Sequence, residues 1–285
     1  MRRARKKSLQ IGLVVTGDAE RRGLPDALIR WLAEQDVQAE VPDRFIKKVH
    51  GFTTLQLTPA IEIAARQPAP PPRSDISAFV ATLIAMVTQR DRPDWVLGLD
   101  DVESNRGNER LIMLIVQRAL AANFQTLPPT QHDRDLLRQR ASVHLAVPMI
   151  ESWLFPDSAA VARAGAISHG NWDSHSDAEQ FQVADENYQI WHDELWPRSP
   201  MPAAAHPKRY LQFLGLDRDR QMESATSEAL RLLNWQRVPQ SSPRMAYLHA
   251  LLADLADVAS LDYGPTVPDS AATRRPHSPL ILRNW

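Results

Sequence analysis

The chain has 285 residues, 44% hydrophobic and 24% charged, a composition that supplies one large core or two smaller ones and excludes a disordered or fibrous protein. It contains no Cys, which excludes disulfide scaffolds, thiolate zinc sites and Cys nucleophiles and makes a reducing compartment, the cytoplasm, the expected location. Its 33 Lys and Arg are offset by 34 Asp and Glu, so any nucleic-acid contact has to use a local basic patch. No apolar stretch nears the roughly 20 residues of a bilayer span, so no membrane association is expected. The apolar run after Arg2, Arg3, Arg5, Lys6 and Lys7 is too short for a secretion leader.

Ile11 to Thr16, reading IGLVVT, is a β-branched run that predicts a strand. Gly17 and Asp18 make a turn. Beyond it Leu24, Leu28, Trp31 and Leu32 recur at helical steps, with Asp26, Arg30 and Glu34 on the wet face. Residues 41–58 mix Val, Phe, Ile and Thr with Arg44, Lys47, Lys48 and His50, which suits either a strand with a basic flank or an ordered loop. Pro68 to Pro72 read as a linker, because proline lacks the donor and the φ freedom of helix and central strand. Ile76 to Gln89 predict a helix and Trp95 to Leu99 (WVLGL) a second buried strand. Asn108 is placed to cap a helix through Leu111, Leu114, Ile115 and Leu120 that ends near Pro128 and Pro129. A short helix over Asp133 to Arg140 and a strand over Val143 to Val147 (VHLAV) follow.

Strands and helices thus alternate, and the expected fold is α/β, a mostly parallel sheet flanked by helices. Residues 1–157 are expected to form this core. Residues 158–260 form a cap, irregular and Trp/His-rich over 165–207 and helical over 222–236 and 244–259, and residues 261–285 form an extended tail. There is no internal repeat.

Three apolar runs each end in acid: GLVVT-GDAE, WVLGL-DDVE and VHLAV-PMIE. In a parallel sheet the carboxyl ends of the strands share one edge, where open α/β folds bind ligands. Glu20, Asp100, Asp101, Glu103 and Glu151 are therefore expected to converge. Crowded carboxylates repel, and protonation or a divalent cation relieves them. Oxygen ligands without His or Cys select a hard ion, Mg²⁺ or Mn²⁺. The competing structural reading is that each acid caps the next helix or faces solvent in its first turn.

Four stretches stand in order: Val15-Thr16-Gly17-Asp18-Ala19-Glu20, Leu99-Asp100-Asp101-Val102-Glu103, Glu151-Ser152-Trp153-Leu154-Phe155-Pro156-Asp157 and Pro207-Lys208-Arg209-Tyr210. This order resembles the TOPRIM-like fold, especially the bacterial DUF4276-type proteins, whose motifs are V-E-G-x-T-E-like, D-x-D-like, E-x-W/L-L-x-x-D and P-K-R/K. The chain departs from that pattern in having Thr16 at the first Glu and Asp-Asp-Val-Glu at the second motif, where the acid pair is Asp101 with Glu103, or Asp100 with either. The resemblance implies a TOPRIM-like sheet and Mg²⁺-dependent cleavage or strand transfer on nucleic acid, often beside a partner ATPase in bacterial defence against phage or plasmids. By the same resemblance Glu20 orients or deprotonates the nucleophile, Asp100, Asp101 and Glu103 hold metal, Glu151 completes the shell and Lys208 neutralises charge on the transferred phosphate. It also allows a degenerate member that keeps the fold to bind a partner protein.

Other signals carry less. Lys208, Arg209 and Tyr210 suit a phosphate clamp, although Pro207 equally marks a helix start. Arg44, Lys47 and Lys48, with the basic residues 2–7, suit a phosphate-tracking surface or a solvated face. His169, His175 and His192 match no zinc-ligand spacing. Trp153, Trp172, Trp191, Trp196 and Trp235 are expected in the core. The P-loop, the dinucleotide fingerprint and the G-x-S-x-G elbow are absent.

Overall fold

In a computed structural model the chain is described over residues 8–53, 74–126, 130–166, 170, 172, 177–216, 222–241, 244–263 and 282–284. The basic residues 2–7, the proline run, His169, His175 and most of the expected tail lie outside the described residues.

The chain runs β1 (Leu9–Val15), α1 (Asp18–Ala33), β2 (Ala39–Glu40), β3 (Ile46–Lys48), α2 (Ser74–Thr88), β4 (Trp95–Asp101), α3 (Glu109–Thr126), α4 (Gln131–Arg140) and β5 (Ala141–Ala146). After β5 come α5 (Ser158–Arg163), α6 (Glu186–Leu195), α7 (Pro207–Phe213), α8 (Met222–Leu232), α9 (Arg237–Ser241) and α10 (Ala246–Val258). Every described strand pairing is parallel. β1 pairs with β4, β4 with β5, and the outer side of β1 takes β2 at its start and β3 at its end. The α/β class expected from the alternating pattern is the one found. The ambiguous 41–58 stretch contributes a short 3-10 turn at Asp43–Phe45 and then β3.

Side chains alternate across a strand, and both faces of this sheet are covered, which is why β1, β4 and β5 read as almost unbroken apolar runs. Ile11, Leu13, Val15, Trp95, Leu97 and Leu99 enter one core, with α1 and the helices of the C-terminal half. Val14, Val96, Val143 and Leu145 enter a second core, under α2, α3 and α4. The first core draws on α1 and β4 as well as on Tyr188, Tyr210, Trp235 and Leu252, so the Trp-rich stretch and the C-terminal helices pack on the same face of the sheet as α1. Trp153 meets Trp235 edge to face at 6.0 Å, and Phe155 stacks among Trp172, Phe181 and Tyr210. Trp153 and Trp235 are core, as their apolar area suggests, whereas Trp172 and Trp191 are only partly buried against it and Trp196, also expected inside, stays partly exposed under the Arg209 side chain.

Local chemistry sets several boundaries. Thr130 and Asp133 form a reciprocal capping box at the start of α4. The helix expected over 222–236 stops at Leu232, because Asn234 turns its side-chain oxygen to the amides of Gln236 and Arg237 and starts α9. The stretch 165–207, expected to be irregular, includes α6, whose start is capped by Asp185 on the Tyr188 amide.

The free edge of β5 is covered from far along the chain. The Arg283 amide donates to Ala141 O at 2.7 Å, and the Asn284 side chain both donates to Val143 O and accepts from Val143 N. Leu282 is fully buried in the second core. Arg283 also reaches Asp254 of α10 at 2.8 Å, and Asp254 in turn meets His144 of β5.

Gly23 of α1 faces α8, and a Cβ there would lie 2.6 Å from the Ser227 carbonyl oxygen. Backbone cannot swing aside as a side-chain end can. Gly23→Val is therefore expected to destabilise the protein by about 1–3 kcal/mol, as overpacking does, measured as a lowered urea midpoint with one joint loss of helix signal. An unchanged midpoint would mean that α8 is not seated on α1.

Candidate functional site

β1, β4 and β5 end at one edge, in the register Val15 with Leu99 and Asp101 with Ala146. Three stretches leave this edge. After β1 the chain turns at Gly17 into α1, and Glu20 sits in its first turn. A Cβ at Gly17 would fall 1.9 Å from Glu20 Oε2, so only glycine lets this carboxylate fold back over the helix start. After β4 the chain passes Val102 and takes Glu103 through φ +51°, a left-handed conformation that costs a non-glycine residue about 1 kcal/mol or more. After β5 it turns at Pro148 into the 3-10 segment Ile150–Leu154, which carries Glu151. The Val102 amide donates to Ala146 O and the Glu103 amide to Pro148 O, tying the second stretch to the third.

Glu20, Asp100 and Glu151 are each no more than 3% exposed. Burial pushes the Glu20 carboxyl up to about 7, and the negative charge of Glu151 adds to the push. Glu103 is also raised to about 7, by burial and then by Asp100 and Glu151. Asp101 is held well above the usual carboxyl range, by burial first and then by Glu20, Glu151, Asp100 and Glu103 in turn. The charges of Glu151 and Asp100 thus reach Glu20, Asp101 and Glu103, and those of Glu20 and Glu103 reach Asp101. Lys208, the second residue of α7, places Nζ 4.0 Å from Glu151 Oε1 and lowers the cost of ionising Glu20 and Glu103.

Asp100 and Asp101 have different surroundings. Asp100 Oδ1 accepts from the Thr16 hydroxyl at 2.5 Å, and Oδ2 accepts from the Thr53 hydroxyl at 2.9 Å and from the amides of Thr53 and Phe52 at 3.2 and 3.3 Å. Burial raises its carboxyl to about 6 while these donors pull it down. Asp101 Oδ1 accepts only one described bond of this kind, from the Ile150 amide at 2.8 Å. Among the described residues, no group of three or more His, Asp and Glu side chains is disposed to hold a metal ion as it stands. The donors fit Mg²⁺ or Mn²⁺ in kind, being all oxygen, buried and mutually repelling, although they do not form a finished cage.

Other expected groups lie apart. Asp18 pairs with Lys48, and with Arg21 at 2.9 Å, and Lys48 holds its carboxyl below the usual range. Arg44 pairs with Asp91 at 3.2 Å and covers the Phe45 ring, so two members of the expected basic surface already have acidic partners. Arg209 lies 4.0 Å over the Trp196 ring and Tyr210 is buried, which leaves Lys208 as the member of its trio that reaches the acids. His192 is buried beside Tyr188 and Trp196. Asp157, last in the E-S-W-L-F-P-D stretch, caps α5 through Ala160 and accepts from the Asn234 amide. Thr16 and Thr53 were not expected at the site, since neither hydroxyl signals chemistry in the sequence. In comparisons with protein families, curated proteins and solved structures, the chain matched none.

Raised carboxyls make stability depend on pH. Between the ordinary glutamate value and about 7, folded Glu20 keeps a proton that the unfolded chain has released, so its contribution is present at low pH and is lost as pH rises through that window. His206, which burial pushes down to about 3, acts in the opposite sense at lower pH. The difference between variant and wild type isolates the carboxyl. Glu20→Gln should gain stability relative to wild type from about pH 5 to about pH 8, read as urea midpoints. A difference that does not change over that range would show that Glu20 ionises without cost.

Proposed function

We propose that this edge is the active site of a phosphodiester-cleaving protein that uses Mg²⁺ or Mn²⁺. The observation that carries the reading is the burial in one field of carboxylates from three separate stretches of chain, with Lys208 beside them. Natural cores rarely bury several acids around one ammonium group, because each costs desolvation that a few hydrogen bonds and a single cation do not repay. Their retention at the ligand-binding edge of a parallel sheet is explained by a cationic visitor.

Asp101, Glu103 and Glu151 would hold the ion, with Glu20 beside them. When bound, a divalent ion supplies charge neutralisation at phosphate oxygens and a water that ionises near neutral pH. The chain's own groups do the rest. Glu20, with its carboxyl near 7, is suited to accept a proton from an attacking water at physiological pH. Lys208 is placed to neutralise charge that develops on the phosphate. Action beside an ATPase, in defence against phage or plasmids, is the part of the reading that rests on the TOPRIM-like resemblance alone.

A second reading is a decayed site whose protein binds a partner. It is favoured by the lack of a ready three-ligand group among the described residues and by the placement of Thr16, at the first Glu of the family pattern, on Asp100. Exposed Ile190 and Leu195 on α6 would then be contact residues.

Single-stranded and duplex DNA and RNA incubated with Mg²⁺ or Mn²⁺ separate the two. Cleavage should require the ion and fall by about 10²-fold or more in Asp101→Asn, Glu151→Gln and Lys208→Ala, the scale seen when one transition-state-stabilising group is removed. A wild-type protein inactive with every ion and substrate, with or without a co-purifying ATPase, would leave the partner-binding reading standing.

A further inference from the structure

We infer that Asp100 is the positioning residue of this edge, a latch that fastens the 51–53 loop, and that it is withheld from the ion, which falls to Asp101, Glu103 and Glu151. The inference rests on the proposed function for what the edge binds, but its structural half stands independently.

Neighbouring residues on a strand point to opposite faces. Trp95, Leu97 and Leu99 of β4 enter the core that holds α1 and Trp153, so Asp101 points to the side from which Glu20 and Glu151 approach. Val96 enters the other core and Gly98 lies under Phe79 of α2, so Asp100 points toward that side. Thr16, one residue past Val15, shares the Asp100 side and closes on it. The two adjacent aspartates are thus divided by the pleat of the strand.

Capacity points the same way. A carboxylate offers about four acceptor positions, and Asp100 faces four donor groups, the Thr16 hydroxyl, two backbone amides and the Thr53 hydroxyl, whose single proton it shares with the Asp101 carbonyl. Three of them crowd Oδ2, so an ion at that oxygen would have to displace one, and an ion at Oδ1 would share that oxygen with the Thr16 hydroxyl. The loop so held is fastened from other sides as well. Asn105 Nδ2 donates to Thr53 O at 2.6 Å, the Phe52 ring meets Phe79 edge to face at 5.1 Å, and the Thr53 hydroxyl also reaches the Asp101 carbonyl. Thr53 therefore touches the main chain that carries Asp101, and Asn105 ties it to the turn that carries Glu103. Loosening the latch should disturb where these acids sit without removing any of them.

The test combines amide exchange of the peptide spanning residues 49–53 with the thermal shift given by MnCl₂, in the whole protein. Asp100→Asn and Thr53→Val should each speed exchange of the Phe52 and Thr53 amides by about tenfold or more, the scale of one lost charge-assisted hydrogen bond, and Thr53→Ser should restore protection. The manganese shift should be reduced but not abolished in Asp100→Asn and Thr53→Val and near wild type in Thr53→Ser, whereas Asp101→Asn should lose it with loop exchange unchanged. A shift lost in Asp100→Asn and kept in Thr53→Val overturns the inference, because Asp100 is then a ligand. If wild type shows no manganese shift, the cation reading of the edge fails, and loop exchange still decides the latch: unchanged exchange in both Asp100→Asn and Thr53→Val overturns it.

Discussion

Carboxylates taken out of water repel one another, and this sheet takes them out of water together. Because β1, β4 and β5 run parallel, the peptide that follows each strand must leave at one edge, and each of those three exits brings acid with it. Almost every local feature there bears on that charge. Gly17 gives Glu20 room to fold over the start of α1, where exposed amides favour a negative group. Ile150 offers an amide to Asp101, and Lys208 brings an ammonium group against Glu151. None of these contacts cancels the repulsion, and protons are what the isolated chain has available to finish the task.

A second consequence of strand geometry is a division of labour between neighbours in sequence. One residue of β4 turns to hydroxyls and amides and becomes part of the framework; the next turns to the side of the remaining acids. Backbone pleating thus performs a selection that the dipeptide Asp100-Asp101 cannot express. Thr16 belongs to the framework side, where its hydroxyl donates to Asp100.

What the sequence revealed and concealed follows from how each feature is encoded. β1, β4 and β5 were legible because they are buried on both faces and therefore read as unbroken apolar runs. β2 and β3 were not resolved as strands, since Ala39–Glu40 and Ile46–Lys48 are two and three residues long and half solvated. The placement of Glu20, Asp100, Asp101, Glu103 and Glu151 at or just past the carboxyl ends of parallel strands was legible from the acid that follows each apolar run. The bonds from Thr16 and Thr53 to Asp100 were not, since they join residues 84 and 47 positions apart through side chains common everywhere on protein surfaces. Buried Glu179 was hidden for a similar reason: its carboxylate accepts the first amides of α10, 68 and 69 positions downstream, and no local pattern marks so distant a cap. The union of the aromatic stretch with the α1 face of the sheet was equally unreadable, because packing between amphipathic surfaces leaves no periodic trace of which surface meets which.

The cover over the outer side of β5 bears on synthesis. Val143 finds its partner in Asn284, 141 positions later, and Leu282 completes the core beneath α2, α3 and α4 only then. A ribosome delivers residues one at a time, so every preceding segment can emerge while this strand still presents unpaired amides to whatever lies nearby. Such an interval invites pairing between nascent chains on one messenger, and it is the natural moment for a chaperone to shield the strand until its own distant cover arrives.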